Sequence, residues 1–240
     1  MRHYVLMGAN SCIAQVLIGQ LDSSVHVTAM TREETLDKSM DVACQVNYHA
    51  VDPHNLQDVS QCIESAHQKM AVDAVVNFCG SIILKPLHLT SADLFRETVD
   101  INLMTSFNLA HAVTSIIKKN CHMVFFSTAA AHIGLPNHEA ISAAKLAVEG
   151  LSKSLAASYS KSNIRSNVIA PGLIDTPLSS MIFNSDKAKA TSLAMHGLPR
   201  LGQPNDITAC LQWMLSEQCH WMTGEVIRID GGLSTLKSIS

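Results

Sequence analysis

The feature that most constrains this chain is a rhythm of short, continuous apolar runs separated by segments of helical length. The runs are Tyr4–Met7, Val25–Ala29, Cys44–Tyr48, Ala74–Asn77, Met123–Ser127, Ser166–Ala170 and Val226–Ile229. A strand with one wet face alternates apolar and polar residues, whereas these runs do not, so each is expected to be covered on both faces. Between them lie 11–21, 55–69, 91–118, 138–159 and 204–216, which suit crossover helices. Thr90, with Asp93 three residues on, resembles a capping box that opens the helix near residue 91. Strand and helix in alternation predict an α/β fold, a doubly wound parallel sheet with helices on both faces. The 240 residues, 47% hydrophobic, suit a single domain spanning 1–240.

Composition excludes several classes of partner. A formal net charge of −3 gives no basic surface for nucleic acid or an anionic membrane. The seven cysteines are dispersed and never spaced as CxxC, which suits reduced thiols and neither a disulfide framework nor a zinc site. The twelve histidines form no HxxxH pair, so no metal is expected. No apolar run approaches the roughly 18 residues of a membrane span. The strand-like "HYVLMG" begins at residue 3, which leaves no room for a cleavable leader, and a cytoplasmic protein is expected.

In open α/β sheets, ligands bind beyond the carboxyl ends of the strands. After the first run comes "GANSCIAQ", a turn begun by Gly8 that leads into a helix and offers backbone N–H groups of Asn10, Ser11, Cys12 and Ile13 to a phosphate. After the second comes "MTREE": Thr31 and Arg32 stand where a carboxylate would grip a ribose 2′-hydroxyl, and an arginine there favours a 2′-phosphate. The competing reading of Arg32 is an exposed loop residue. Asp52 follows the third run, Asn77-Phe78-Cys79-Gly80 the fourth, "STAA" the fifth, and "PGLIDT", with Pro171, Gly172, Ile174 and Thr176, the sixth. Residues 173–203 are too long for an ordinary loop and read as a lid or substrate segment. Its Leu178, Met181, Ile182, Phe183, Leu193 and Met195 suggest an apolar or acyl-type ligand, or simply packing of the lid onto the domain.

These segments resemble those of the short-chain dehydrogenase/reductase family, over nearly the whole chain. "VDAVVNFCG" resembles the family's "iDvlVnnAG", "VDINLMTSFNLA" its "vNl.g.f" helix, and "VFFSTAAA" its "IVnISS". "IRSNVIAPGLIDTPL" is similar to "iRvNvIaPG.i.T", and the ending "LPRLGQPNDITACLQWML…MTGEVIRIDGG" to "RxGxPeeia…vtGq.l.vDGG". The resemblance, which includes 3-oxoacyl-acyl-carrier-protein reductase-like members, implies a Rossmann-type sheet of about seven parallel strands. It also implies a nicotinamide dinucleotide, with NADP(H) favoured over NAD(H) by Arg32, a small-molecule substrate, and a homodimer or homotetramer.

The resemblance implies hydride transfer between a nicotinamide and a carbonyl or alcohol, for which the protein must move a proton. The family's supporting asparagine falls on Asn102, its lysine on Lys145 and its serine on Thr128, with Ser127 adjacent if the register slips by one. Its proton-donating tyrosine falls on Ile141, one helical turn before Lys145, and isoleucine can neither give nor take a proton. His138 lies a further turn back and has suitable chemistry for an acid, although it also reads as a loop or first-turn histidine at the mouth of the site. His132 is a weaker candidate. In the glycine turn, Cys12 and Ala14 replace the second and third glycines of TGxxxGxG. Cys12 adds a side chain where a pyrophosphate should approach, either as a small bystander or as an oxidisable gate.

Three functions follow. One is a divergent NADP(H)-dependent oxidoreductase working through Thr128, Lys145, water and His138. A second is a non-catalytic subunit that pairs with an active ketoreductase of the same family. The third is a redox-neutral dehydratase or cyclase reusing the pocket.

Overall fold

A computed structural model describes residues 1–32 and 42–237. Among them, seven strands form one sheet: β1 Arg2–Met7, β2 Val25–Thr31, β3 Gln45–Ala50, β4 Ala74–Asn77, β5 Cys121–Phe126, β6 Ile164–Pro171 and β7 Val226–Ile229. Their order is β3-β2-β1-β4-β5-β6-β7 and every pair is parallel. Strand order reverses between β1 and β4, which sets a crevice at their carboxyl ends. The expected seven-strand parallel sheet is therefore present, with strand ends displaced by at most two residues.

Successive side chains of each buried strand feed opposite cores. Val5 and Met7 of β1, Val75 of β4 and Met123 and Phe125 of β5 belong to one apolar cluster, which also takes Val59, Ile63, Leu109, Val113 and Val148 from helices. Tyr4 and Leu6, Ala74 and Val76, and Val124 enter the other, with Leu17, Ile18, Ile207 and Leu211. The contributing helices are α1 (Cys12–Gln20), α2 (Leu56–Lys69), α4 (Thr105–Ile116), α5 (Glu139–Tyr159) and α8 (Pro204–Leu215). Each large side chain fully withdrawn from water in this way stabilises the fold by roughly 1.5–3 kcal/mol.

The expected helix over 91–118 is interrupted. Helix α3 (Ala92–Val99) passes into a wide π-turn, Asp100–Met104, before α4 begins. The proposed cap moves by one residue as well. Ser91, and not Thr90, accepts the Leu94 N–H at 3.2 Å, while the Thr90 hydroxyl donates to the Pro86 carbonyl and Asp93 pairs with Arg96. Residues 173–203 contain two helices, α6 (Ser180–Phe183) and α7 (Asp186–Met195). No residue of α7 is buried, so this helix is not packed into either core, whereas Ile174, at the start of the segment, joins the second cluster. No helix among the described residues is long and apolar enough to cross a membrane, and no cluster of metal-ligating side chains is present among them.

Candidate active site

A cavity of about 930 Å³ opens at the carboxyl ends of the strands, under the 173–203 segment. That is within the range of small-molecule and cofactor sites. Most of the residues expected at those strand ends line it: Gly8, Asn10, Ser11, Cys12 and Ile13; Thr31 and Arg32; Phe78, Cys79 and Gly80; Pro171, Gly172, Ile174 and Thr176; and Asn102, Thr128, His138 and Lys145.

The turn after β1 is fixed by Gly8. Its φ of +75° favours glycine, and a Cβ would stand 3.0 Å from both the backbone nitrogen and the sulfur of Cys79. The Gly8 and Ala9 amides bond Met30 O, which ties the turn to β2. Ser11 caps α1 by accepting the Ala14 N–H at 3.2 Å. The first-turn amides of Cys12 and Ile13 have no intrahelical acceptor, and both residues face the cavity.

Two of the expected residues do not line the cavity. Asn77 is buried and is not part of the cavity wall. Its carbonyl oxygen accepts the Cys79 N–H at 2.9 Å, and its amide nitrogen donates to Thr105 and Ser106 at 3.1 and 2.9 Å. As the last residue of β4 it points to the same side as Val75, into α4, and shapes the site from beneath. Asp52 is exposed and outside the wall; its carboxylate accepts the His54 N–H at 2.9 Å, while its neighbours Val51, Pro53 and His54 line the cavity.

The chemically capable groups gather between β5, the π-turn and α5. Lys145 is buried, and its ammonium donates to the Phe126 carbonyl at 3.0 Å. Burial pulls it down to about 8, with the neighbouring Cys79 opposing that shift, while burial pushes the Cys79 thiol up to about 12. Asn102 sits in the π-turn. Its amide donates to Ser81 Oγ and Thr98 O, and its oxygen accepts the Ser81 N–H. A Cβ on Gly80 would lie 3.3 Å from that oxygen and 3.5 Å from Lys145 Nζ, so the glycine lets both groups close on one point. The Thr128 hydroxyl accepts the Ala130 N–H at 3.3 Å, a bond that leaves its own hydrogen for another partner.

Ile141 is 4% exposed and contributes its alkyl side chain to the cavity wall. His138 stands at the N-cap position of α5, outside the helix proper. Its Nδ1 faces the Pro136 carbonyl at 2.8 Å; because a carbonyl only accepts, Nδ1 carries the hydrogen. Ser127, the alternative hydroxyl, turns to the Glu149 carboxylate and the Lys145 backbone oxygen. Sequence reasoning missed the contributions of Ser81, His54 and His196 to the wall. A Cβ on Gly172 would meet Asp230 Cα at 2.8 Å and His196 Nε2 at 3.0 Å, a packing signal invisible in one sequence.

Leu178, Ile182 and Met195 of the 173–203 segment face the cavity, joined by Leu84, Leu135 and Leu233. Met181 and Phe183 do not line it, and Met181 is 69% exposed.

The family profile described as Enoyl-(Acyl carrier protein) reductase matches residues 11–234. The peroxisomal 2,4-dienoyl-CoA reductase of Saccharomyces cerevisiae is 32% identical over 185 residues, covering 76% of this chain and 63% of the yeast protein, so the alignment spans less than two thirds of that relative. A 3-oxoacyl-acyl-carrier-protein reductase of Thermotoga maritima is 30% identical over 191 residues, covering 76% of this chain and 77% of its own. Among solved structures, a 4-hydroxyisoleucine dehydrogenase mutant complexed with NADH and succinate is 28% identical, with a TM-score of 0.89 over 98% of this chain and 100% of that one. With the parallel sheet, the glycine turn and the strand-end residues, these likenesses make the chain a member of the short-chain dehydrogenase/reductase family.

Proposed function

We propose that this protein is an NADP(H)-dependent oxidoreductase that interconverts a carbonyl and an alcohol on an apolar or acyl-type small molecule. The observation that carries the reading is one cavity lined by Lys145 and Asn102, which close on Gly80, by Thr128, and by the Gly8 turn and Arg32. A dinucleotide fits these residues. Gly8 holds the turn against Cys79, Gly80 lets Asn102 and Lys145 close together, and the first-turn amides of α1 suit a pyrophosphate. Arg32, following Thr31 and not a carboxylate, suits a 2′-phosphate. The bound nicotinamide would supply the hydride. Thr128 then holds the substrate oxygen, and Lys145 stabilises charge developing on it. Leu178, Ile182 and Met195 exclude water and favour an apolar substrate.

NADPH and NADH titrations of the wild type and Arg32→Ala test the cofactor. NADPH is expected to bind at least about tenfold tighter than NADH, and the variant to lose that preference without losing NADH. Equal affinities in the wild type would overturn the NADP(H) assignment. NADPH oxidation with a panel of ketones and β-ketoacyl thioesters tests the reaction.

A second reading is favoured by Ile141, which places an alkyl group where an acid is expected: a non-catalytic subunit paired with an active family member. Met104, Phe107 and Leu146, 38%, 40% and 42% exposed on the π-turn, α4 and α5, offer an apolar face for a homodimer or homotetramer or for such a pairing. Co-purification of a related chain, with no turnover by this one alone, would favour it.

A further inference from the structure

A chain of three side chains leads from the cavity wall toward the surface. Ser127, at the exit of β5, donates its hydroxyl to Glu149 Oε1, and the same carboxylate oxygen is met by His132 Nε2 at 2.9 Å. Ser127 lines the cavity, whereas Glu149 and His132 do not. The Glu149 and His132 side chains are 13% and 20% exposed, so the imidazole is the wetter end. Glu149 lies one turn beyond Lys145 on α5, which continues the stripe of Ile141 and Lys145; His132 closes the short turn Ala129–His132. The carboxylate stands between hydroxyl and imidazole, so this is not the order that activates a serine nucleophile, in which the imidazole touches the hydroxyl.

We propose that Ser127, Glu149 and His132 form a proton route that feeds the cavity in place of the acid that Ile141 excludes. The inference rests on the oxidoreductase reading. Reduction of a carbonyl adds a hydride from the reduced nicotinamide to carbon and requires one proton on oxygen. The Ser127 hydroxyl turns from Glu149 into the cavity and releases its O–H proton, its oxygen takes a proton from Glu149 Oε1, and a protonated His132 resupplies that carboxylate oxygen through Nε2–H and becomes neutral imidazole. Solvent then reprotonates the imidazole. One proton has passed from water to the substrate oxygen, and the three side chains return to their starting forms. In alcohol oxidation the same steps run in reverse. Ser127 touches the cavity contents, while Glu149 and His132 act through it as positioning and relay residues.

Glu149→Gln separates this role from a purely structural one. The amide oxygen still accepts from Ser127 and His132, but the group no longer passes a proton. With an NADPH-dependent carbonyl substrate, the variant is expected to lose about 10²-fold in kcat, with KM, NADPH affinity and Tm near the wild-type values. His132→Gln is expected to lose rate as well, and to recover part of it with imidazole in the buffer. Wild-type kcat in both variants would overturn the route. If the wild type turns over no carbonyl at all, the oxidoreductase reading fails by itself, and the route is read without substrate by NMR of ¹⁵N-labelled histidine. Ser127→Ala should shift the His132 imidazole N–H signal and change its exchange with solvent, and Glu149→Gln should abolish that response. A His132 signal indifferent to Ser127→Ala would overturn the proposed coupling.

Discussion

Ile141 and Lys145 stand one turn apart on α5, and both side chains face the same cavity. A hydroxyl placed on the Ile141 ring of positions would therefore lie beside a buried ammonium held at about 8. Such a cation favours the ionised form of a neighbouring phenol. Ile141→Tyr should accordingly raise kcat for carbonyl reduction by about 10²-fold or more, the ordinary contribution of a positioned acid, with little change in NADPH affinity. Steady-state kinetics with and without the substitution decide it. In the Glu149→Gln background the tyrosine should keep most of this gain, because a local acid bypasses the relay. A double variant as slow as Glu149→Gln alone would argue that Ser127, Glu149 and His132 serve some step other than proton supply.

Lys145 should lower the stability of the fold at neutral pH. Its folded-state value, about 8, lies below the ordinary 10.5, so from about pH 8 to 10.5 the unfolded chain holds a proton that the folded chain has released. Stability contributed by this group therefore rises with pH through that window, and below it the full penalty applies. Lys145→Met removes the penalty. It should stabilise the protein by on the order of 2–3 kcal/mol at pH 7, less whatever the lost Phe126 bond contributes, and the difference from wild type should fade toward pH 10. Urea denaturation of both proteins at pH 7 and pH 10 measures it. A variant less stable than wild type at pH 7 would mean that the buried cation is better solvated than its surroundings imply.

The sheet was legible in the sequence because strands covered on both faces read as unbroken apolar runs; β4 and β7 lie where those runs predict. Cavity residues supplied by glycine turns and strand exits, such as Gly8, Gly80 and Gly172, were legible for the same reason, since the topology decides which ends meet. Side-chain direction was not. Asn77 and Asp52 both lie at or just past strand ends, yet one turns inward to α4 and the other is exposed, its carboxylate accepting the His54 backbone N–H. The π-turn at Asn102 inserts a wide turn without breaking the helical pattern, and it left no mark in the sequence. The contact of Glu149 with Ser127 and His132 needed only one more step along the stripe from Ile141 to Lys145, together with knowledge of which strand exit that face meets.

Asn77→Ala separates a supporting role of that residue from direct contact with a ligand. Its side chain makes two buried hydrogen bonds, to Thr105 and Ser106, and a half-buried one from the Cys79 N–H; truncation leaves that N–H without its acceptor, while the two hydroxyls keep their bonds to the Ile101 and Asn102 carbonyls. A loss of roughly 1–3 kcal/mol is expected, measured by chemical denaturation, the ordinary cost of one polar group left unpaired. Cofactor affinity should weaken only as far as the Phe78-Cys79-Gly80 wall relaxes. Loss of NADPH binding in a variant of unchanged stability would instead show that Asn77 touches the ligand directly.

Cys12→Gly should move binding and stability in opposite directions. Cys12 opens α1 and lines the cavity beside the amides suited to a pyrophosphate, so removing its side chain lets the phosphates approach the backbone. NADPH is expected to bind about 3–10-fold tighter, equivalent to roughly 0.7–1.4 kcal/mol. The same change frees backbone in the unfolded chain and should lower the stability of the ligand-free protein by about 0.5–1 kcal/mol. Fluorescence titration and thermal melts of the two proteins separate the effects. If Tm falls while the NADPH affinity stays at the wild-type value, the thiol does not crowd the phosphates, and Cys12 is a bystander in the turn.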